Sequence, residues 1–172
     1  PYSSMTEQIR VLTVGDGDLS FSLALARCLG SAVRLTATTL VARDELLSTY
    51  TAAAAAIEEL ERRGARVCHG VNATALDAGT LGLHDHVAFN FPHLGDGDLL
   101  DESAHARRHS VLIAHYLHAA ARLLAAGGKV HLALSGSQPR PWRVDEHAPW
   151  LRLAVLGARA TTGPPPFLGD RG

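Results

Sequence analysis

The sequence predicts an α/β fold: a mainly parallel sheet with helices on both faces, a three-layer sandwich. Short β-rich apolar runs alternate with helical segments along the chain, which demands crossover connections between parallel strands. The unusual loops, at 15–20, 38–43, 70–76, 90–97 and 135–142, all follow predicted strands, so they converge on the carboxyl edge where such sheets bind ligands. The 172 residues, 47% hydrophobic and 19% charged, suit one domain around one core.

Ile9–Val14 is a buried strand running into a tight Gly15-Asp16-Gly17 turn. Ser20–Leu29 carries Leu and Ala at helical spacing, with Ser20 placed as its cap and Gly30 as its stop. Val33–Thr38 is a second strand, and Asp44–Arg63 one long helix closed by Gly64. A short strand at Arg66–His69 and a fourth at Asp85–Phe91 follow. His105–Ala126 is a helix stopped by Gly127-Gly128, and Lys129–Leu134 a fifth strand ending at Ser135. Val144–Leu156 is a weaker helix interrupted by Pro149, Ala158–Thr162 a sixth strand, and Pro164 to Pro166 end the order. The domain is thus expected over residues 5–163, with a flexible tail at 164–172 and a cloning remnant at 1–4. No convincing seventh strand follows, and an open sheet edge would be a route to a homodimer.

A net charge of −1 weighs against a long nucleic-acid footprint, though it leaves room for a local basic patch. Cys28 and Cys68 lack metal-site spacing and read as buried, reduced thiols of a cytoplasmic protein. No signal peptide or membrane-spanning run is visible.

The turn Val14-Gly15-Asp16-Gly17-Asp18-Leu19-Ser20 joins a strand to a helix N-terminus, where glycines let a ligand approach the backbone. Ser20 stands where a dinucleotide fingerprint has its third glycine, and Asp16 and Asp18 would repel a pyrophosphate, so an NAD-type oxidoreductase is disfavoured. The acidic pair suits a ligand with a cationic or hydroxyl-rich part. Asn90-Phe91-Pro92-His93 ends the fourth strand: an amide that donates and accepts, a ring that can stack, a stiff turn and an imidazole that titrates near neutrality. An ordinary strand-ending turn, with Phe91 in the core, is the competing reading.

His131 faces away from Val130 and Leu132 and reads as a satisfied histidine. His105 and His109, at i,i+4, and His115 and His118, at i,i+3, would need a third ligand on the same face to hold a metal. With ten histidines in the chain such spacings arise by chance, so no metal is expected. Trp142 and Trp150 read as packing anchors, and no Gly-x-Ser-x-Gly elbow supports a hydrolytic triad.

The segment Val14–Ser22 resembles the "VGEGDFSFS" loop of the 25S rRNA uridine-N3-methyltransferase-like domain family. Leu35–Thr39, His69–Thr74 and Phe89–Gly95 agree with the same family in order and spacing, with a weaker match at Gly128–Leu134, Gln138-Pro139 and Trp142. The resemblance covers roughly residues 9–167 and implies a Rossmann-like class I methyltransferase fold, S-adenosylmethionine as methyl donor and a ring nitrogen as acceptor. It implies that Gly15, Asp16, Gly17, Asp18, Ser20 and Phe21 surround the methionine and ribose portions. Thr38, Thr39, Asn72, Ala73 and Asn90 complete the cofactor set, with Asn72 and Ala73 by the adenine. Asn90, Phe91, Pro92 and His93 then face the acceptor as the catalytic group. The chain departs from the family's pattern at Val41, where an acidic residue is usual, at Asn72, usually Asp, and at Ser135, often Lys. The charge balance, the short chain and Ser135 weigh slightly toward a small uracil-like heterocycle as acceptor. An RNA uridine and a non-catalytic S-adenosylmethionine-binding module are the alternatives.

Overall fold

The computed structural model describes residues 7–95, 101–135 and 138–150. Five parallel strands, β1 (Ile9–Val14), β2 (Val33–Thr38), β3 (Arg66–Cys68), β4 (His84–Asn90) and β5 (Leu124–Ala133), form one sheet in the order β3-β2-β1-β4-β5. The chain leaves β1 in one direction for β2 and β3, then returns to its other side for β4 and β5. The direction therefore reverses between β1 and β4, and the loops after those strands flank a crevice there.

Side-chain alternation explains why β1, Arg10 and Thr13 aside, is apolar on both faces. Val11 points into one core with Leu35 and Ala37 of β2, covered by α1 (Ser20–Leu29) and α3 (Ala53–Arg62). Its neighbours Leu12 and Val14 point into a second core with Val87 and Phe89 of β4, covered by α5 (Glu102–Ala121) through Ile113, Tyr116 and Leu117. The expected three layers are present.

Several boundaries differ from expectation for local reasons. The long helix predicted over 44–63 is two helices, α2 (Arg43–Thr49) and α3, with Tyr50 in an extended conformation between them (φ −120°, ψ 111°). The Ser48 and Thr49 hydroxyls both donate to the Glu45 carbonyl, side-chain bonds that weaken a helix where they occur. Two further short helical turns, at Ala73–Ala75 and α4 (Ala78–Leu81), are capped by the side chains of Asn72 and Asp77. Helix α5 starts earlier than predicted because Asp101 caps it, its carboxylate accepting the Ala104 N–H at 2.6 Å. It ends at Ala121, and Gly127-Gly128 serve not as its stop but as an irregularity within β5. His84 pairs with Leu124 and His86 with Lys129, so the intervening residues bulge. A sixth helix, α6 (Val144–Trp150), falls within the predicted one and includes position 149. The predicted sixth strand and the proline run lie outside the described residues.

Cys28 is exposed and Cys68 partly so, against the expectation of two buried thiols; Cys28 lies on α1 between Arg27 and Leu29, outside the stripe Ser22–Leu25–Ala26 that faces the core. His131 does face away from Val130 and Leu132, and its Nε2 lies 2.8 Å from His86 Nδ1.

Candidate active site

Main-chain bonds lace the carboxyl-end loops into two groups, one on each side of the crevice. The Asp16 N–H donates to Thr38 carbonyl oxygen at 3.0 Å, joining the first loop to the second. Thr39 N–H donates to Cys68 oxygen, Gly70 N–H to Val41 oxygen and Val71 N–H to Thr39 oxygen, joining second and third. Phe91 N–H donates to Ala133 oxygen at 2.9 Å, joining fourth and fifth.

Gly15 ties the two halves across the crevice. Its φ is 62°, and a Cβ there would sit 2.8 Å from Phe89 Cε2, so only glycine fits. Phe89 in turn is wedged edge-on against Tyr116, ring centres 5.0 Å apart.

The two loop aspartates are spent on the helix. Asp16 Oδ2 accepts both the Ser22 N–H, at 2.7 Å, and the Ser22 hydroxyl, at 2.6 Å, while Asp18 Oδ1 accepts the Ser20 N–H at 3.0 Å. Ser20 therefore does not cap α1. The residue before it is Leu19, in the left-handed region (φ 64°), and carboxylates upstream satisfy the first-turn amides. Burial raises the Asp16 pKa, partly offset by its bonds to Ser22; the Ser20 contacts lower that of Asp18. A helix N-terminus already satisfied by two carboxylates offers little to a pyrophosphate.

Other predicted residues divide between site and scaffold. Gly17, Asp18, Ser20, Asn72 and His93 are exposed, and Gly15, Asp16, Phe21 and Asn90 partly so. Thr38 and Thr39 are fully buried and their hydroxyls are engaged, the first donating to Thr13 oxygen and the second to Val41 oxygen and near His69 Nδ1. Only their main chain borders the crevice side. Asn72 Oδ1 accepts from the Thr74 N–H and hydroxyl, and Ala73 is packed in the core. Tyr50 was not singled out by the sequence: its hydroxyl lies 3.5 Å from the position a Gly17 Cβ would take, over the glycine loop. Only the unforeseen break between α2 and α3 brings it there.

Phe91 is not a core residue. It is 62% exposed and holds a left-handed φ of 49°, uncommon for a bulky side chain and a sign of a turn whose shape is imposed by its surroundings. Pro92 beneath it is buried. His93 Nδ1 accepts the Gly95 N–H at 3.0 Å, which leaves the proton of the neutral ring on Nε2. His109 is buried and stacked on Trp142, ring centres 4.3 Å apart and 15° from parallel. Its Nδ1 lies 2.9 Å from His105 oxygen and its Nε2 accepts the Leu94 N–H at 3.3 Å. Burial lowers the His109 pKa. Beside the same helix a groove of about 540 Å³ is lined by Arg107, Arg143 and His147. No helix among the described residues is long and apolar enough to cross a membrane.

Known proteins share this sequence and this fold. An Arabidopsis thaliana protein named heavy metal-associated isoprenylated plant protein 41 is 36% identical over 156 residues, 86% of this chain and 29% of its own length. A Homo sapiens protein, ferredoxin-fold anticodon-binding domain-containing protein 1, is 34% identical over 174 residues, 92% of this chain and 26% of its own. The chain thus spans less than a third of either relative. Among solved structures, TrmN from Thermus thermophilus shares the fold at TM-score 0.55 and 23% identity, over 81% of this chain and 36% of that one. The family described as rRNA (uridine-N3-)-methyltransferase BTM5-like matches residues 12–160, which takes in the glycine loop, the Asn90–His93 turn and all five strands but the first residues of β1, and the chain belongs to that family.

Proposed function

We propose that this chain methylates N3 of a uridine in RNA, with S-adenosylmethionine as the donor. The observation that carries the reading is a pair of constrained turns at the β1–β4 crevice: Gly15, pressed onto Phe89 across it, and Phe91, held left-handed beside Asn90 and His93. When bound, S-adenosylmethionine supplies a sulfonium methyl group already activated for transfer. The loop fits that donor better than a dinucleotide, since a helix N-terminus already satisfied by Asp16 and Asp18 offers little to phosphates. Gly15, Gly17, Asp18, Ser20 and Phe21 would line the methionine and ribose portions, with Tyr50 as an added contact. The main chain at Thr38–Thr39 and the turn at Asn72–Ala73 would border the adenosine. Asp16 contributes by fixing the loop through Ser22.

On the acceptor side, the exposed Phe91 ring can stack on a base, the usual way single-stranded RNA is held. The Asn90 amide offers a donor and an acceptor to the edge of a uracil. A neutral N3–H is a poor nucleophile, and the His93 tautomer that accepts from Gly95 carries its proton on Nε2, the atom we assign as donor to the acceptor. Hydrogen-bonded to a uracil carbonyl, it makes N3 more acidic, and the proton leaves to solvent. His93 thus polarises the carbonyl rather than acting first as a base.

The family favours RNA over the free heterocycle that the near-neutral charge suggested. So do Arg107 and Arg108, exposed side by side on α5, a local basic pair that a net charge of −1 conceals. The test is methyl transfer from labelled S-adenosylmethionine to an rRNA transcript, to uridine and to uracil, with RNA binding followed against salt. Transfer to RNA at N3, with affinity falling steeply as salt rises, is expected. Transfer to the free base alone would move the acceptor to a small molecule, and donor binding without transfer to any acceptor would leave a binding module.

A further inference from the structure

His105 and His109 lie on one face of α5, their ring centres 4.2 Å apart, because residues four apart in a helix stack one above the other. The turn after β4 brings a third ring against them, His93, with centres 5.8 Å from His105 and 5.2 Å from His109. Each ring offers one nitrogen, and the three nitrogens lie within 4.8 Å of one another. This is the third ligand that the i,i+4 pair lacked in the sequence. Among the described residues no other group of three or more histidines, cysteines or carboxylates converges in this way.

We propose that His93, His105 and His109 form a binding site for a borderline divalent transition ion such as Zn²⁺, joining the acceptor-side turn to helix α5. Three imidazoles are a known zinc ligand set with a fourth position left to water, and imidazole also suits nickel, cobalt and copper. A tetrahedral site with Zn–N bonds of about 2.0–2.1 Å needs nitrogens about 3.3 Å apart, so the set has to close by no more than about 1.5 Å. His105 is half-buried and His93 lies on an exposed turn, which makes that closure a rotamer change rather than a backbone rearrangement. His109 is the fixed member: Trp142 stacks on its ring, and its Nδ1–H, donated to the His105 carbonyl, leaves the Nε2 lone pair for a ligand, the outer-partner arrangement usual for metal-bound histidine. The Leu94 N–H at 3.3 Å is a long bond that a cation would displace.

With its Nδ1 accepting the Gly95 N–H, His93 would ligate through a deprotonated Nε2, the atom also proposed to face the uracil carbonyl, so ion and acceptor would compete for it; the test reads metal binding and does not use methyl transfer. Zn²⁺ and Co²⁺ are titrated into the full chain, with Co²⁺ absorption in the visible reporting tetrahedral nitrogen ligation and thermal unfolding reporting stabilisation. One ion per chain is expected, with a raised Tm, and His105→Ala should weaken binding at least 10-fold, as should His93→Ala. His118→Ala, on an exposed position of the same helix, should bind as the parent does. Alanine at residue 105 is favourable to the helix, so the variant keeps its fold. No saturable 1:1 binding, or binding that His105→Ala and His93→Ala leave unchanged, overturns the site.

Discussion

Adding a single carbon to Gly15 places it 2.8 Å from a Phe89 ring that cannot swing away, because Tyr116 holds its other side. The φ of 62° adds backbone strain to the clash. Gly15→Ala is expected to destabilise the protein by about 1–3 kcal/mol, read as a lowered midpoint of thermal unfolding. Gly17→Ala is a different case: its Cβ would meet the Tyr50 hydroxyl at an ordinary 3.5 Å. Its stability should stay within about 0.5 kcal/mol of the parent while donor affinity falls, as titration calorimetry with S-adenosylmethionine would register. Equal loss of stability in both variants would mean that the loop is scaffold at both glycines. At His93, replacement by Leu removes the donor proposed for the acceptor. The turnover number should fall by about 10²–10⁴-fold with donor KM unchanged. A donor KM that rose in step would instead mean that His93 shapes the cofactor side. At this scale the sequence identified which residues gather but not what each side chain does. Asp16 and Asp18 stand in a loop pattern that reads as ligand-binding, yet their carboxylates cap α1. The direction of a short acidic side chain in a turn depends on which amides are left over nearby, and Leu19 in the left-handed region decided that.

Elements were most legible where periodicity and punctuation agreed. Apolar runs bounded by glycine or a turn gave β1, α1 and β2 their ends, and all three match the predicted bounds. Helical propensity misled where side chains compete with the backbone. The run of Ser48, Thr49, Tyr50 and Thr51 looks tolerable inside a 20-residue alanine-rich window, and the hydroxyl bonds to Glu45 that accompany the break are invisible to spacing. That break supplies Tyr50 to the glycine loop, so an error about an element concealed a candidate contact. Helix α5 carries the clearest element-level expectation. Tyr116 is fully buried at its centre, and its hydroxyl makes only long contacts, 3.4 Å to Val87 oxygen and 3.5 Å to His131 oxygen. The ring, not the hydroxyl, should hold α5 to β4. Tyr116→Phe is expected to cost less than about 1 kcal/mol and Tyr116→Ala about 3–5 kcal/mol in chemical denaturation. A large loss in Tyr116→Phe would place the anchoring in the hydroxyl instead.

Histidine distribution governs the behaviour of the whole molecule in acid. His69, His84, His86, His109 and His131 all have pKa values lowered, first by burial; His131, beside His86 and Lys129, falls to about 4. In the unfolded chain each returns to about 6.5, so between roughly pH 6.5 and 4 the unfolded state binds more protons than the folded one. Stability must therefore fall as pH drops through that window. Asp16 acts the other way, since its raised pKa favours the folded state on acidification, but it is one group against five. Asp85, held down to about 2 by Arg10, keeps its contribution until the pH falls below the ordinary carboxylate range and only then adds to the loss. Lowering the pH from 7 to 5 should accordingly reduce stability by on the order of 1–3 kcal/mol, with about 2–4 °C in Tm for each kcal/mol. His131→Phe removes the most depressed group and relieves His86 of a neighbouring charge, so its Tm should decline less over the same interval. A decline as steep as the parent's would shift the acid sensitivity away from the β4–β5 pair and onto His69, His84 and His109.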